Sequence, residues 1–276
     1  MADPVPHAIQ TGRATPGALN TVAGVVLAAS GVLLFALELR VAGYVVLAIA
    51  IAIGFVADRL LGRDLVLIAV GMLIMSLVPI TTDISPGHMV VMGAAMVAAI
   101  LLPYLGSRFL FKDHAIRFPL RTGQRWTRLE KGWLVLVVVL GYLILPVYMI
   151  RSGIYVNWPA ATQPDEIARL FAGVNGLGVW DELFFVCTVF ALLRRHVPDW
   201  QAIIMQAVLF TSFLYELGFR GPGPLLIFPF ALLQGYTFKL TRSLTYIVCV
   251  HLLFDFVLFL VLVHAHNRGW LPFFIY

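Results

Sequence analysis

Nine apolar runs alternate with short polar breaks along this chain, at roughly residues 19–39, 41–57, 65–81, 88–107, 132–150, 175–193, 200–218, 224–240 and 243–263. Most approach the ~20 residues that carry an α-helix across the hydrocarbon core of a bilayer. The breaks are charges or helix-ending residues: Arg40, the stretch from Asp58 to Asp64, Pro86-Gly87, Arg108, Lys131, Arg151, Arg194-Arg195, Arg220 to Pro224, and Lys239 to Arg242. In lipid the backbone polar groups of each run must be satisfied within the run, so the runs predict helices. The expected fold is all-α: a polytopic transmembrane helix bundle of about eight or nine spans, forming a single integral membrane domain over residues 1–276.

Composition agrees. Hydrophobic residues make up 61% and charged residues 12% of the chain, against about 25% charged in ordinary soluble domains. The net charge of +5 comes from basic residues in the breaks, where they set orientation, so no nucleic-acid partner is expected. Loop 108–131 carries Arg108, Lys112, Arg117, Arg121, Arg125, Arg128 and Lys131 against Asp113 and Glu130. The positive-inside rule puts this loop in the cytoplasm, and the N-terminus with it. Residues 2–17 lack a small-residue cleavage site, so the first span is expected to stay attached. Phe118, Pro119 and Trp126 interleave with the basic residues. An orientation signal with an aromatic anchor is the simpler reading, and binding of anionic lipid or of a substrate tail is the other.

Several features have plain structural readings. Cys187 and Cys249 sit inside apolar runs and act as small hydrophobes. Pro164-Asp165-Glu166 reads as a helix start, followed by Gly173, Gly176 and Gly178, which loosen the helix or let a neighbour pack closely. Pro103 and Pro146 are expected to kink their spans. His264 and His266, two apart at the end of the last run, suit a membrane interface better than a metal pair, and Trp270, Phe273, Phe274 and Tyr276 suit an aromatic belt.

An ionised side chain at the centre of a span costs about 2.5–3.5 kcal/mol, so it asks for a partner or a purpose. The first five runs hold almost none, whereas the last four hold Asp181, Glu182, Glu216, His251 and Asp255. His251 and Asp255 are spaced i,i+4 and share one helix face. Counted from the cytoplasmic ends at ~1.5 Å per residue, Glu182 lies ~16 Å deep, Glu216 ~21–24 Å, His251 ~13 Å and Asp255 ~19 Å. These groups are expected to converge on one water-filled pocket. A carboxylate there can take a proton from water while a histidine donates one or steadies negative charge, which suits amide hydrolysis. Glu182, Glu216, His251 and Asp255 are also acceptable ligands for zinc or another divalent ion. Mutual pairing that only glues helices together, or a proton-coupled transport path, uses the same residue types.

From about Trp180 to Leu260 the sequence resembles the CAAX prenyl endopeptidase and bacteriocin-processing (CPBP, or Abi) family of intramembrane proteases. That family carries the signatures EExxxR, FxxxH and HxxxN/D on successive helices, in that order. The first corresponds to Asp181-Glu182-Leu183-Phe184-Phe185-Val186, with valine at the arginine position. The second falls in 210–216, where no histidine occurs and Glu216 is the polar candidate to stand in. The third is complete as His251-Leu252-Leu253-Phe254-Asp255.

The resemblance implies core helices within 172–263 and a membrane-associated or lipidated peptide or protein as substrate. Asp181 and Glu182 would activate water, with Glu216 replacing the usual histidine, while His251 and Asp255 would support the carbonyl or bind metal. The expected function is an intramembrane endopeptidase, a hydrolase of CAAX-protease type, with a metalloprotease as one form of it. The expected location is a bacterial plasma membrane, multi-pass. The alternative is a catalytically altered relative acting in membrane binding or in bacteriocin self-immunity.

Overall fold

The computed structural model describes residues 17–120, 123 and 125–276, so Arg121 and the residues before Gly17 lie outside the described residues. The described residues form helices and no strand. In chain order α1 covers Ala18–Gly31, α2 Arg40–Ala57, α3 Arg59–Ser76, α4 Pro86–Leu105, α5 Arg128–Pro146 and α6 Pro164–Asp181. After them come α7 at Asp199–Leu217, α8 at Gly223–Thr241 and α9 at Leu244–His266.

The helix starts follow capping chemistry. Asp58 accepts from the Leu60 amide at 3.0 Å, so α3 begins several residues before its apolar run. At α5 the Thr127 and Glu130 side chains each accept from the other's backbone amide. At α6 Glu166 accepts from the Thr162 and Gln163 amides, so the helix starts at Pro164 and runs unbroken through the three glycines.

Pro103 and Pro146 lie inside their helices, and a π-helical turn begins three residues after the first, at Gly106–Leu110, and directly after the second, at Val147–Arg151. A longer π segment, Glu182–Phe190, continues α6, and a final α-turn completes it to Leu193.

Six helices among the described residues are long and apolar enough to cross a membrane, namely Ala18–Ala36, Arg40–Ala57, Pro86–Leu110, Arg128–Arg151, Pro164–Leu193 and Leu244–His266. The π half of α6 is buried on every side, while α4 turns Val90, Val97 and Leu101 outward. At Gly71 of α3 a Cβ would stand 2.3 Å from the Phe184 ring and 2.9 Å from the Ala99 carbonyl, so α6 rests against α3 and α4 through a missing side chain.

Below the π segment the chain is clasped to α3. Arg195 donates to both oxygens of buried Asp64 at 2.9 Å, and His196 Nε2 lies 2.7 Å from Asp64 Oδ2. Arg195 also reaches Asp113 at 3.0 Å, which accepts from the Ser107 hydroxyl at 2.7 Å and the Ala115 amide at 3.1 Å. Burial works against the Asp113 charge, but these hydrogen bonds outweigh it and hold its carboxyl below the ordinary 3.8. Its contribution is therefore complete above that value and disappears as pH falls through the lowered one. Asp113→Asn is expected to release the 111–120 segment at neutral pH, at a cost of about 1 kcal/mol. Faster hydrogen exchange at the Ala115 amide would register it; unchanged protection would mean the latch is idle.

Candidate functional site

Four of the five expected groups meet where the π segment of α6 faces α9. Asp181, Glu182, His251 and Asp255 are all buried. His251 Nδ1 donates to Glu182 Oε1 at 2.7 Å, and Gln234 of α8 donates to the same oxygen at 2.6 Å. Gln234 also reaches the Ile247 carbonyl at 3.2 Å, which ties α8 to α9 at this level. The His251 ring lies edge-on to Phe230, with centroids 4.9 Å apart. The imidazole is thereby fixed in both position and plane.

Its second nitrogen faces the two aspartates. Nε2 is 4.0 Å from Asp181 Oδ2 and 3.8 Å from Asp255 Oδ1, beyond direct hydrogen bonding. Asp181 Oδ1, Glu182 Oε2 and Asp255 Oδ2 are buried without a hydrogen-bond partner among the described residues. Asp181, His251 and Asp255 line a cavity of about 20 Å³, and one water needs ~10–15 Å³. Two carboxyls and one imidazole around a water-sized space, with Glu182 behind the imidazole, can seat a proton-transfer step on a small polar reactant.

Gly178 sets the distance between α6 and α9. A Cβ there would stand 2.1 Å from Asp255 Oδ2 and 3.2 Å from His251 Cδ2. Of the three glycines in this helix only Gly178 has such a neighbour; Gly176 faces open space and Gly173 meets Met89 at 3.9 Å. Gly178→Ala is expected to turn the Asp255 carboxylate aside without moving either backbone. Any reaction carried by the cluster should slow roughly ten-fold, within what a misplaced group costs, while the melting temperature changes little. Unaltered turnover would mean that Asp255 is not needed in its present place.

A second cavity, of about 380 Å³, lies between α4 and α6. Met92, Met96, Val97, Gly173 and Gly176 line it, and it shares Trp158, Val174 and Leu177 with the small cavity. The Trp180 indole donates to the Met96 carbonyl at 2.8 Å and stacks on Phe184, closing its deep end. An apolar groove thus runs up to the wall of the carboxylate cluster.

Glu216 is not grouped with the other four. Arg40 donates to it at 2.5 Å, and nearby Arg220 pairs with Glu38 at 3.0 Å, so α7 is tied to the α1–α2 turn. The reason is helical phase. Leu214, two residues earlier, lines the small cavity, and two residues correspond to about 200° around an α-helix. Leu214 also stands four residues after Phe210, at the histidine position of FxxxH. Among the described residues no three His, Cys, Asp or Glu side chains are arranged to hold a metal ion. Glu182 and His251 engage each other and Glu216 engages Arg40, so these donors do not make a zinc site.

His264 and His266 also do not pair. His264 donates from Nδ1 to the Trp270 carbonyl and meets the Tyr276 hydroxyl through Nε2, and His266 faces the Tyr155 carbonyl, which secures the C-terminal segment. Sequence reasoning missed Gln234. Its signal was a lone amide inside the apolar 224–240 run, the same anomaly that drew attention to the acids.

Residues 163–257 match the family model described as Type II CAAX prenyl endopeptidase Rce1-like. The match takes in α6, α7, α8 and α9 as far as the turn beyond Asp255, and so includes every residue of the cluster and Gln234. The CPBP resemblance carried by Asp181-Glu182 and His251-Asp255 therefore stands. No curated protein and no solved structure matches the chain. The match and the six apolar helices together describe an integral, multi-pass membrane protein.

Proposed function

We propose that this protein is an intramembrane endopeptidase that hydrolyses a peptide bond of a membrane-embedded or lipidated substrate. The observation that carries this reading is the pair of carboxylates, Asp181 and Asp255, that flank His251 Nε2 and line a water-sized cavity, each with one oxygen left without a hydrogen-bond partner among the described residues. In the proposed reaction Asp181 takes a proton from a water in that cavity as its oxygen bonds to the scissile carbonyl carbon. Protonated His251 donates through Nε2 to the developing oxyanion. The C–N bond then breaks, and Asp181 returns the proton to the leaving amine. Glu182, itself held by Gln234, fixes the imidazole through Nδ1, and Asp255 stands beside Nε2. No step passes through a metal.

The groove between α4 and α6 suits the apolar part of the substrate. Gly176→Trp is expected to fill it and raise KM about ten-fold for a lipidated reporter peptide in proteoliposomes, leaving kcat nearly constant. Equal KM values would remove the groove from the substrate's path.

The same reading places eight or nine spans in a bacterial plasma membrane with the N-terminus cytoplasmic. It is supported by α3, α7 and α8, of 18, 19 and 19 residues, since ~1.5 Å per residue lets each cross ~27–29 Å. A second reading is a non-catalytic relative that binds a membrane partner, as in self-immunity. Leu214 on the cavity wall favours it, because an isobutyl group cannot move a proton.

A further inference from the structure

We infer that Arg108, His114 and Arg117 form a binding site for the phosphate of an anionic phospholipid headgroup, on the basic side of the bundle and apart from the carboxylate cluster. These residues, with Tyr104, Ile116 and Phe118, line a cavity of about 510 Å³ at the end of α4. A basic loop is ordinarily a solvated face, with side chains free to move. Here the backbone is fixed.

Ser107 accepts from the Ala115 amide at 2.9 Å, and its hydroxyl is held by Asp113, which Arg195 ties to the core. Further on, the Leu244 amide donates to the Pro119 carbonyl at 3.0 Å. Ile116 is buried, and the Phe118 ring packs on Tyr104 with centroids 5.5 Å apart. Arg117 donates its Nε to the His114 carbonyl at 3.0 Å, which restrains the guanidinium at the cavity wall. Arg108 places Nη1 3.4 Å from the Tyr104 hydroxyl. Among the described residues no carboxylate pairs with either guanidinium within 4.0 Å. Two forked donors and an imidazole, without counter-charge and on a fixed frame, match a phosphate monoester or diester.

The surroundings select the lipid over a soluble phosphate. Phe109 and Leu110, next to Arg108 in the chain, are 64% and 74% exposed, and both end a helix long and apolar enough to cross a membrane. The cavity therefore opens at the level where hydrocarbon gives way to headgroups.

The test uses the full-length protein in nanodiscs of phosphatidylcholine with phosphatidylglycerol, with lipid retained after delipidation counted by native mass spectrometry. Arg108→Gln with Arg117→Gln is expected to cut phosphatidylglycerol retention about twenty-five-fold, at about five-fold per arginine near an anionic surface. Arg125→Gln with Arg128→Gln, basic positions outside the cavity, should change it little. Equal losses in both pairs would reduce the site to diffuse charge and overturn the proposal. Displacement of the lipid by millimolar inorganic phosphate would overturn it as well, assigning the pocket to a soluble anion. If the Gln pair fails to fold, Arg108→Lys with Arg117→Lys decides, since retention equal to the native protein would contradict a site that needs forked donors.

Discussion

Asp181→Asn is expected to lower peptide hydrolysis by this protein on the order of 10²–10⁴-fold while leaving the fold intact or slightly more stable. The two halves of this expectation come from the same geometry. Asp181 Oδ1 has no partner among the described residues, and Oδ2 stands 4.0 Å from His251, so an amide of the same shape breaks no hydrogen bond there. Removing a buried charge without a close partner is neutral or favourable for folding. A residue whose role was to glue helices together would behave the opposite way. Turnover in proteoliposomes and thermal unfolding in detergent, measured on one preparation, separate the cases: full turnover in the variant ends the catalytic role of Asp181, and a large drop in melting temperature would mark it as structural.

Leu214→His is expected to raise turnover, on the order of 10²-fold. The charged part of the cavity wall is supplied by Asp181, His251 and Asp255, and Leu214 of α7 lines the same cavity. Leucine and histidine are similar in size, so the change adds a proton-moving group where the family's second signature has one, at little packing cost. If the protein is a slow or altered protease, this is the substitution that should restore it. If Leu214→His and Asp181→Asn both leave activity at background with the fold preserved, the chain is better described as a binding relative.

How far the sequence reached can be judged from these residues. The helices among the described residues were legible because lipid imposes apolar runs; α3 starts earlier than its run because Asp58 caps it inside polar sequence, while the start of α6 was readable from Pro164 and the acids that follow it. His251 with Asp255, and the Asp181-Glu182 pair, were legible because a charge in an apolar run is costly. Glu216 obeyed the same logic, but its partner Arg40 lies 176 positions away. No local pattern reports such a pairing, and a buried ion pair at a helix end looks the same in sequence as a catalytic acid. Gln234 carries no charge and so left a weaker trace. The facing of Leu214 depended on the phase of one helix, which apolarity on every side conceals.

The π segment Glu182–Phe190 has a consequence of its own for how this protein can vary. It lies between two anchorages of one chain: the acid pair above it, which must look into the reaction space, and Arg195 with His196 below it, which must grip Asp64. Gain of a single residue within 183–189 would swivel one anchorage against the other by about 100°, because the segment already winds wide and has no looser form in which to absorb it. Only one of them could then be made. Point substitutions inside the stretch are therefore tolerable in a way that added residues are not, and related chains should differ there in letters without growing longer.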